Sequence, residues 1–165
     1  MNTESTLGQA LNHLRGGNPA EAEKLCRQVL AERPDDPVAL RYLGIIAFQG
    51  GDLATAEGHL RHAVAAHPGD AKGHNNLGSV LQSGGRSVEA ESAFLRALEC
   101  DPSLVDAHFN LGVLHHTAGR LDAAGSRYRQ ALDLDPGMAE ARQNLERIDG
   151  RPDAENEAAD LYRQG

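Results

Sequence analysis

Pro34, Pro68, Pro102 and Pro136 stand 34 residues apart, and the same step links Gly17, Gly51, Gly85 and Gly119, and Ala22, Ala56, Ala90 and Ala124. Three unrelated residue types at one period mean one supersecondary unit copied end to end, each copy burying its face only against the next. The 165 residues are then expected to form a single array, with units about 3–36, 37–70, 71–104 and 105–138 and a partial fifth over 139–165.

Each unit reads as two helices. In Leu40 to Gln49, His74 to Ser83 and His108 to Thr117, packing positions recur at i, i+3, i+4 and i+7. The middle one is always glycine, Gly44, Gly78 or Gly112. A helical glycine costs about 1 kcal/mol relative to alanine, so three in phase need a reason, and close approach of the second helix supplies it. That helix carries Ala56, Ala90 or Ala124 four residues before Leu60, Phe94 or Tyr128, small and large residues interdigitating. The composition agrees: with 4% aromatics and no Trp, the core must be made from aliphatic and small side chains, which suits closely packed helices better than strands. Gly17, Gly51, Gly85 and Gly119 stand where a left-handed C-cap would end each first helix. Asn18 and Asp52 read as N-caps of second helices, with Pro19 at the first helical position and Glu21 placed for a capping box. Asp36, Asp70 and Ser103 are the candidate caps after the prolines.

Leu77-Gly78, Gly85, Ala90, Phe94, Ala97 and Pro102, with Leu111-Gly112, Gly119, Ala124, Tyr128, Ala131 and Pro136, resemble the tetratricopeptide repeat. The match covers residues 3 to about 149. The family's early Trp is replaced by Leu40, His74 and His108, and the first unit has Gln9-Ala10 where a Leu-Gly pair is usual. The resemblance implies an all-α, right-handed solenoid of stacked antiparallel helix pairs, with a concave groove that accepts an extended peptide or a partner helix.

At about 100° per residue, Leu77, Gly78 and Leu81 share an arc with His74, and Lys72, Asn75, Asn76, Ser79, Gln82 and Ser83 lie opposite. In such arrays, as the resemblance implies, the opposite arc lines the groove. The second unit contributes Val38, Arg41, Tyr42, Ile45, Phe48 and Gln49; the fourth, Asp106, Phe109, Asn110, Val113, His116 and Thr117; the fifth, Glu140, Gln143, Asn144 and Arg147. The surface runs from apolar to polar. Asn76, Asn110 and Asn144 keep the 34-residue step, and an amide can both donate to and accept from a peptide backbone. This resembles the concave asparagine ladder of O-GlcNAc transferase repeats; the same amides can instead bridge neighbouring helices. Receptors in the family that clamp a C-terminal carboxylate set Lys and Arg among these positions, whereas here Asp106 and Glu140 would repel one.

In the first helix Leu7, Leu11 and Leu14, with Ala10, are expected on the groove side. Either the helix rolls to bury them, the reading favoured for a terminal unit, or they join Tyr42, Ile45 and Phe48 in an apolar patch for self-association.

Other chemistry is weakly supported. His13, His74, His108 and His115 occupy packing positions of their units, and His59 and His62 lack companions for a metal set; no metal and no cofactor is expected. No phosphate loop, nucleophile elbow or dinucleotide fingerprint occurs. Cys26 and Cys100 lie two units apart, roughly 20 Å at about 10 Å per helix layer, too far for a disulfide. A net charge of −8 with scattered basic residues argues against nucleic acid as partner. No apolar stretch suggests a signal peptide or membrane insertion, so a cytoplasmic protein, of bacterial type, is expected. After Asp149, Ala158 and Tyr162 repeat the phase of Ala124 and Tyr128, as the start of a fifth second helix in a cap or in a longer chain.

The expected function is a non-catalytic scaffold binding a protein or peptide. The alternatives are the N-terminal repeat region of a larger glycosyltransferase-like enzyme, sulfotransferase or methyltransferase, and a self-assembling scaffold.

Overall fold

The computed structural model describes residues 2–150; the expected fifth second helix around Ala158 and Tyr162 lies outside them. Among the described residues the chain forms nine α-helices and no strand: α1 Thr3–Arg15, α2 Pro19–Glu32, α3 Pro37–Gln49, α4 Leu53–Ala66, α5 Ala71–Ser83, α6 Ser87–Cys100, α7 Val105–Thr117, α8 Leu121–Leu134 and α9 Ala139–Asp149. Helices of this length are marginal alone, and each is held by packing on its neighbours. The paired helices α1 with α2, α3 with α4, α5 with α6 and α7 with α8 pack most extensively, and each pair leans on the next.

The turn inside each pair is one motif used four times. Gly17, Gly51, Gly85 and Gly119 adopt φ of 72°, 82°, 76° and 73°. The next residue, Asn18, Asp52, Arg86 or Arg120, donates its N–H back to the carbonyl of His13, Ala47, Leu81 or His115, the six-to-one bond of a Schellman motif. Only glycine takes that backbone without strain.

Inside the pair the glycine contacts are as tight as the period implies. A Cβ on Gly44 would fall 2.5 Å from Leu60 Cγ, one on Gly78 2.6 Å from Phe94 Cδ1, and one on Gly112 2.6 Å from Tyr128 Cε1. The first unit solves the same contact in reverse: Ala10 stands in the glycine's place and the small Cys26 in that of the ring, both fully buried. Ala10 and Thr6 therefore hold the same phase as Gly44 and Leu40, so α1 has not rolled, and Ala10 lies on the buried side and not with the groove leucines as expected. Leu7, Leu11 and Leu14 stay on the groove side, half-buried against the cluster of Tyr42 and Leu43.

The caps correct three expectations. Asn18 Oδ1 accepts from Glu21 N, but Glu21 pairs with Lys24 at 3.0 Å and does not close a capping box. Asp36 caps α3 through Val38 N and Ala39 N, whereas Asp70 makes no cap bond and instead accepts from Arg41 Nε at 3.0 Å. Ser103 is not a cap; Leu104 holds that position, and Ser103 donates its N–H and hydroxyl to Asp101 Oδ1.

A further periodic bond joins loop to helix. His74 Nε2 and His108 Nε2 donate to the carbonyls of Pro68 and Pro102, each at 2.9 Å, and Arg142 reaches Pro136 in the same way. The histidines at this position thus tie down the inter-unit turn. On the outer side, Arg86 forks Glu57 at 2.7 and 2.9 Å and Arg120 forks Glu91 at 2.8 and 3.1 Å, joining successive second helices.

Candidate functional site: the concave face

The first helices of successive units pack closely, α1 with α3, α3 with α5 and α5 with α7, while successive second helices stand further apart and meet through long side chains such as Arg86 with Glu57. The stack therefore curves with the first helices on the inside, and their outward arcs make one concave face.

At its N-terminal end this face carries two adjoining hollows. One, of about 340 Å³, is lined by Leu11, Leu14, Arg15, Arg41, Tyr42, Ile45, Gln49 and Lys72. The other, about 260 Å³ and more enclosed, is lined by Ile45, Phe48, Gln49, Leu60, Asn76, Ser79 and Val80. Ile45 and Gln49 form the wall between them. Arg41 has its guanidinium 5.2 Å from the Tyr42 ring centroid, within cation–π range, and its Asp70 partner neutralises it. Tyr42 is only 7% exposed, so it offers an edge rather than a face.

The third unit departs from the expected polar lining in one respect. Asn75 is 6% exposed, and its Oδ1 accepts from Asn110 Nδ2 at 3.1 Å; Asn110 also reaches Ser79 Oγ at 3.5 Å. Asn110 thus bridges α7 to α5, and Asn75 is spent within the protein instead of facing a ligand. Asn76 remains half-buried in the wall of the second hollow, with Gln82 half-buried and Lys72 exposed nearby along the helix. In the fourth unit Phe109 packs on Tyr128 with ring centroids 5.9 Å apart, and His116 sets its edge to the same ring at 6.4 Å. Val113 joins that cluster. Asp106 and Gln143 are exposed and Asn144 is half-buried. Burial pushes the Tyr128 hydroxyl up from its usual pKa, with Asn144 opposing.

The sequence reading did not single out Arg15 or Leu60 for this face. Both had a signal: Leu60 is the aliphatic member of the Leu60, Phe94, Tyr128 series, and Arg15 is one 34-residue step before Gln49. No group of three or more His, Cys, Asp or Glu that could hold a metal ion occurs among the described residues. None of the described helices is long and apolar enough to cross a membrane.

The family model of the tetratricopeptide repeat matches residues 7–71, 51–105 and 75–139, which together run through most of the chain. The chain belongs to the tetratricopeptide repeat family. No curated protein matches it in sequence. Among solved structures, it superposes on a chain of the APC/C hetero-tetramer Cut9–Hcn1 with a TM-score of 0.81 at 21% identity, covering 88% of this chain and 29% of that one. A variant of Thermobaculum terrenum O-GlcNAc transferase gives 0.75 at 31% identity, covering 79% of this chain and 26% of that one. The first tetratricopeptide domain of Spaghetti, solved with an HSP90 peptide, gives 0.68 at 23% identity, covering 69% and 93%. The chain thus spans less than a third of the first two relatives. Its tetratricopeptide architecture is that of an interaction scaffold.

Proposed function

We propose that the chain binds a protein segment, an extended peptide or a partner helix, along the concave face of its tetratricopeptide units. The observation that carries this is the pair of adjoining hollows between α1, α3 and α5, each lined by both apolar and polar side chains, the composition expected of a recognition groove. Arg41, Tyr42, Ile45, Phe48, Lys72, Asn76, Ser79 and Gln82 would make the contacts there, with Phe109, Asn110, Val113, His116, Gln143, Asn144 and Asp106 extending the surface. Asn110 would act by holding α5 and α7 in register more than by direct contact.

Photo-crosslinking tests this without disturbing the core. A benzophenone amino acid at Gln82, on the concave face, is expected to capture partner proteins in cells, and one at Ser92, on the exposed side of α6, is not. Adducts from Ser92 with none from Gln82 would move the binding surface to the convex side.

A second reading has one observation behind it, the 31% identity to the O-GlcNAc transferase repeats: the array would present protein substrates to a catalytic domain in a longer chain. Sugar-nucleotide turnover by the complete gene product would test it.

A further inference from the structure

We infer that the hollow between α3 and α5 is a socket for one large apolar side chain of an acidic partner segment. This rests on the concave face being the binding face, and it assigns the chemistry of what binds there. The side chain beneath the groove differs between units. Phe94 and Tyr128 place rings beneath Gly78 and Gly112, whereas beneath Gly44 the chain has the smaller Leu60, one of the residues that line the hollow. Leu60 is fully buried, and it lines the hollow together with Ile45, Phe48, Asn76, Ser79 and Val80. An aliphatic or aromatic side chain entering it would meet apolar atoms below and on two sides, with the Asn76 amide and the Ser79 hydroxyl at the rim.

The charge of the partner follows from the adjoining hollow. Arg15, Arg41 and Lys72 line it and no carboxylate does. Arg41 is paired with Asp70 at 3.0 Å, but Arg15 and Lys72 have no ion pair among the described residues. Two cations without an ion pair beside an apolar socket favour an anionic group next to the apolar one, a local preference set against the chain's overall charge of −8. The segment that fits therefore carries an acidic residue close to a Leu, Met or Phe.

A random dodecapeptide display library, panned on the purified protein, is the probe. Enriched peptides are expected to be acidic and to share a large apolar residue. Their affinity should fall roughly tenfold or more on Leu60→Phe, which fills the socket from below, since burying one such side chain is worth that much. Ser79→Ile fills it from the wall, with the residue the second unit carries at the same place, and should act alike if Leu60→Phe fails to fold. Lys72→Glu should weaken binding at low salt and matter less at high salt. Peptides that lack an apolar residue, are basic, or bind both filled variants undiminished would overturn the socket while leaving groove binding intact. A concentration-dependent dimer abolished by Leu60→Phe would give the socket to a second copy of the chain and overturn the acidic partner. Recovery of no peptide, or only of peptides that crosslink to the convex side, would sink both the socket and the groove.

Discussion

Replacing Gly78 by alanine should destabilise the array even though alanine is the better helix former, and the size of the loss can be worked out. The new Cβ would sit 2.6 Å from both Cδ1 and Cε1 of Phe94 and 3.0 Å from its Cζ. The ring cannot swing aside, because Phe94 is fully buried among Leu77, Leu81, Leu111 and Leu114. Overpacking of this kind costs about 1–3 kcal/mol, and two ring atoms well inside contact distance place it near the upper end. Loss of the helical glycine returns about 1 kcal/mol, so the net loss is about 2 kcal/mol. The first unit supplies the control, since Ala10 there faces Cys26. In a Phe94→Cys background, itself less stable by about 3 kcal/mol, Gly78→Ala meets no ring and should stabilise by about 1 kcal/mol. The coupling in this double-mutant cycle is then about 3 kcal/mol. Urea unfolding followed by circular dichroism under reducing conditions reads it, with an unchanged slope confirming that the transition has kept its character. An equal effect of Gly78→Ala in both backgrounds would refute the close-approach explanation of the glycine ladder.

Three further outcomes follow from the same contacts. Cys26, whose thiol burial pushes up to about 11, should resist alkylation at pH 8 in the folded protein while the partly exposed Cys100 is labelled, and both should react in urea; rapid labelling of native Cys26 would contradict its burial. The hydrogen bonds from Arg86 and Arg120 hold Glu57 and Glu91 below the usual 4.5. Their stabilisation is thus complete above that pH and is lost as pH falls through the lower folded value. Burial, aided by Arg120, holds His115 below its usual 6.5, so the unfolded chain takes a proton there that the folded chain refuses, and stability declines from 6.5 downward. Melting temperature against pH should accordingly flatten near neutrality in His115→Gln, and in acid in the Glu57→Gln, Glu91→Gln double variant; unaltered profiles would refute either assignment. His108→Leu, which gives the fourth unit the second unit's Leu40, should lose the bond to Pro102 and cost about 1 kcal/mol by thermal or urea unfolding, and a neutral result would show that the turn holds itself.

Helix positions, turns and glycine contacts were legible because each is fixed by backbone geometry that recurs with the period. Gly85 must take a positive φ and Gly78 must admit the ring of Phe94, and both requirements lie within one unit. The concave site was legible only as a set of faces. Asn75 and Asn110 are both amides on that face, and nothing local to either tells that they bond to each other across two units. Asp70 looked like a cap by its place before α5, but Arg41, 29 residues earlier, competes for its carboxylate and wins because the pair is half-buried and charged. The roll expected of α1 did not occur, since the Ala10–Cys26 contact locks its phase. The hollow lined by Leu60 draws on residues of α3, α4 and α5, and no single stretch of sequence shows that these come together.

The neighbour-only packing of these helices has a mechanical corollary. Among the described residues every substantial contact joins helices adjacent or next but one, so no single core among them clamps the first helix to the last, and small rotations at each junction add along the axis. The curvature of the concave face is then a shared variable, and because both hollows span the junction of α3 with α5, a change of angle there would reshape both together. A partner that grips both would read the pitch of the stack as well as its surface, and would stiffen it by holding neighbouring units at one angle.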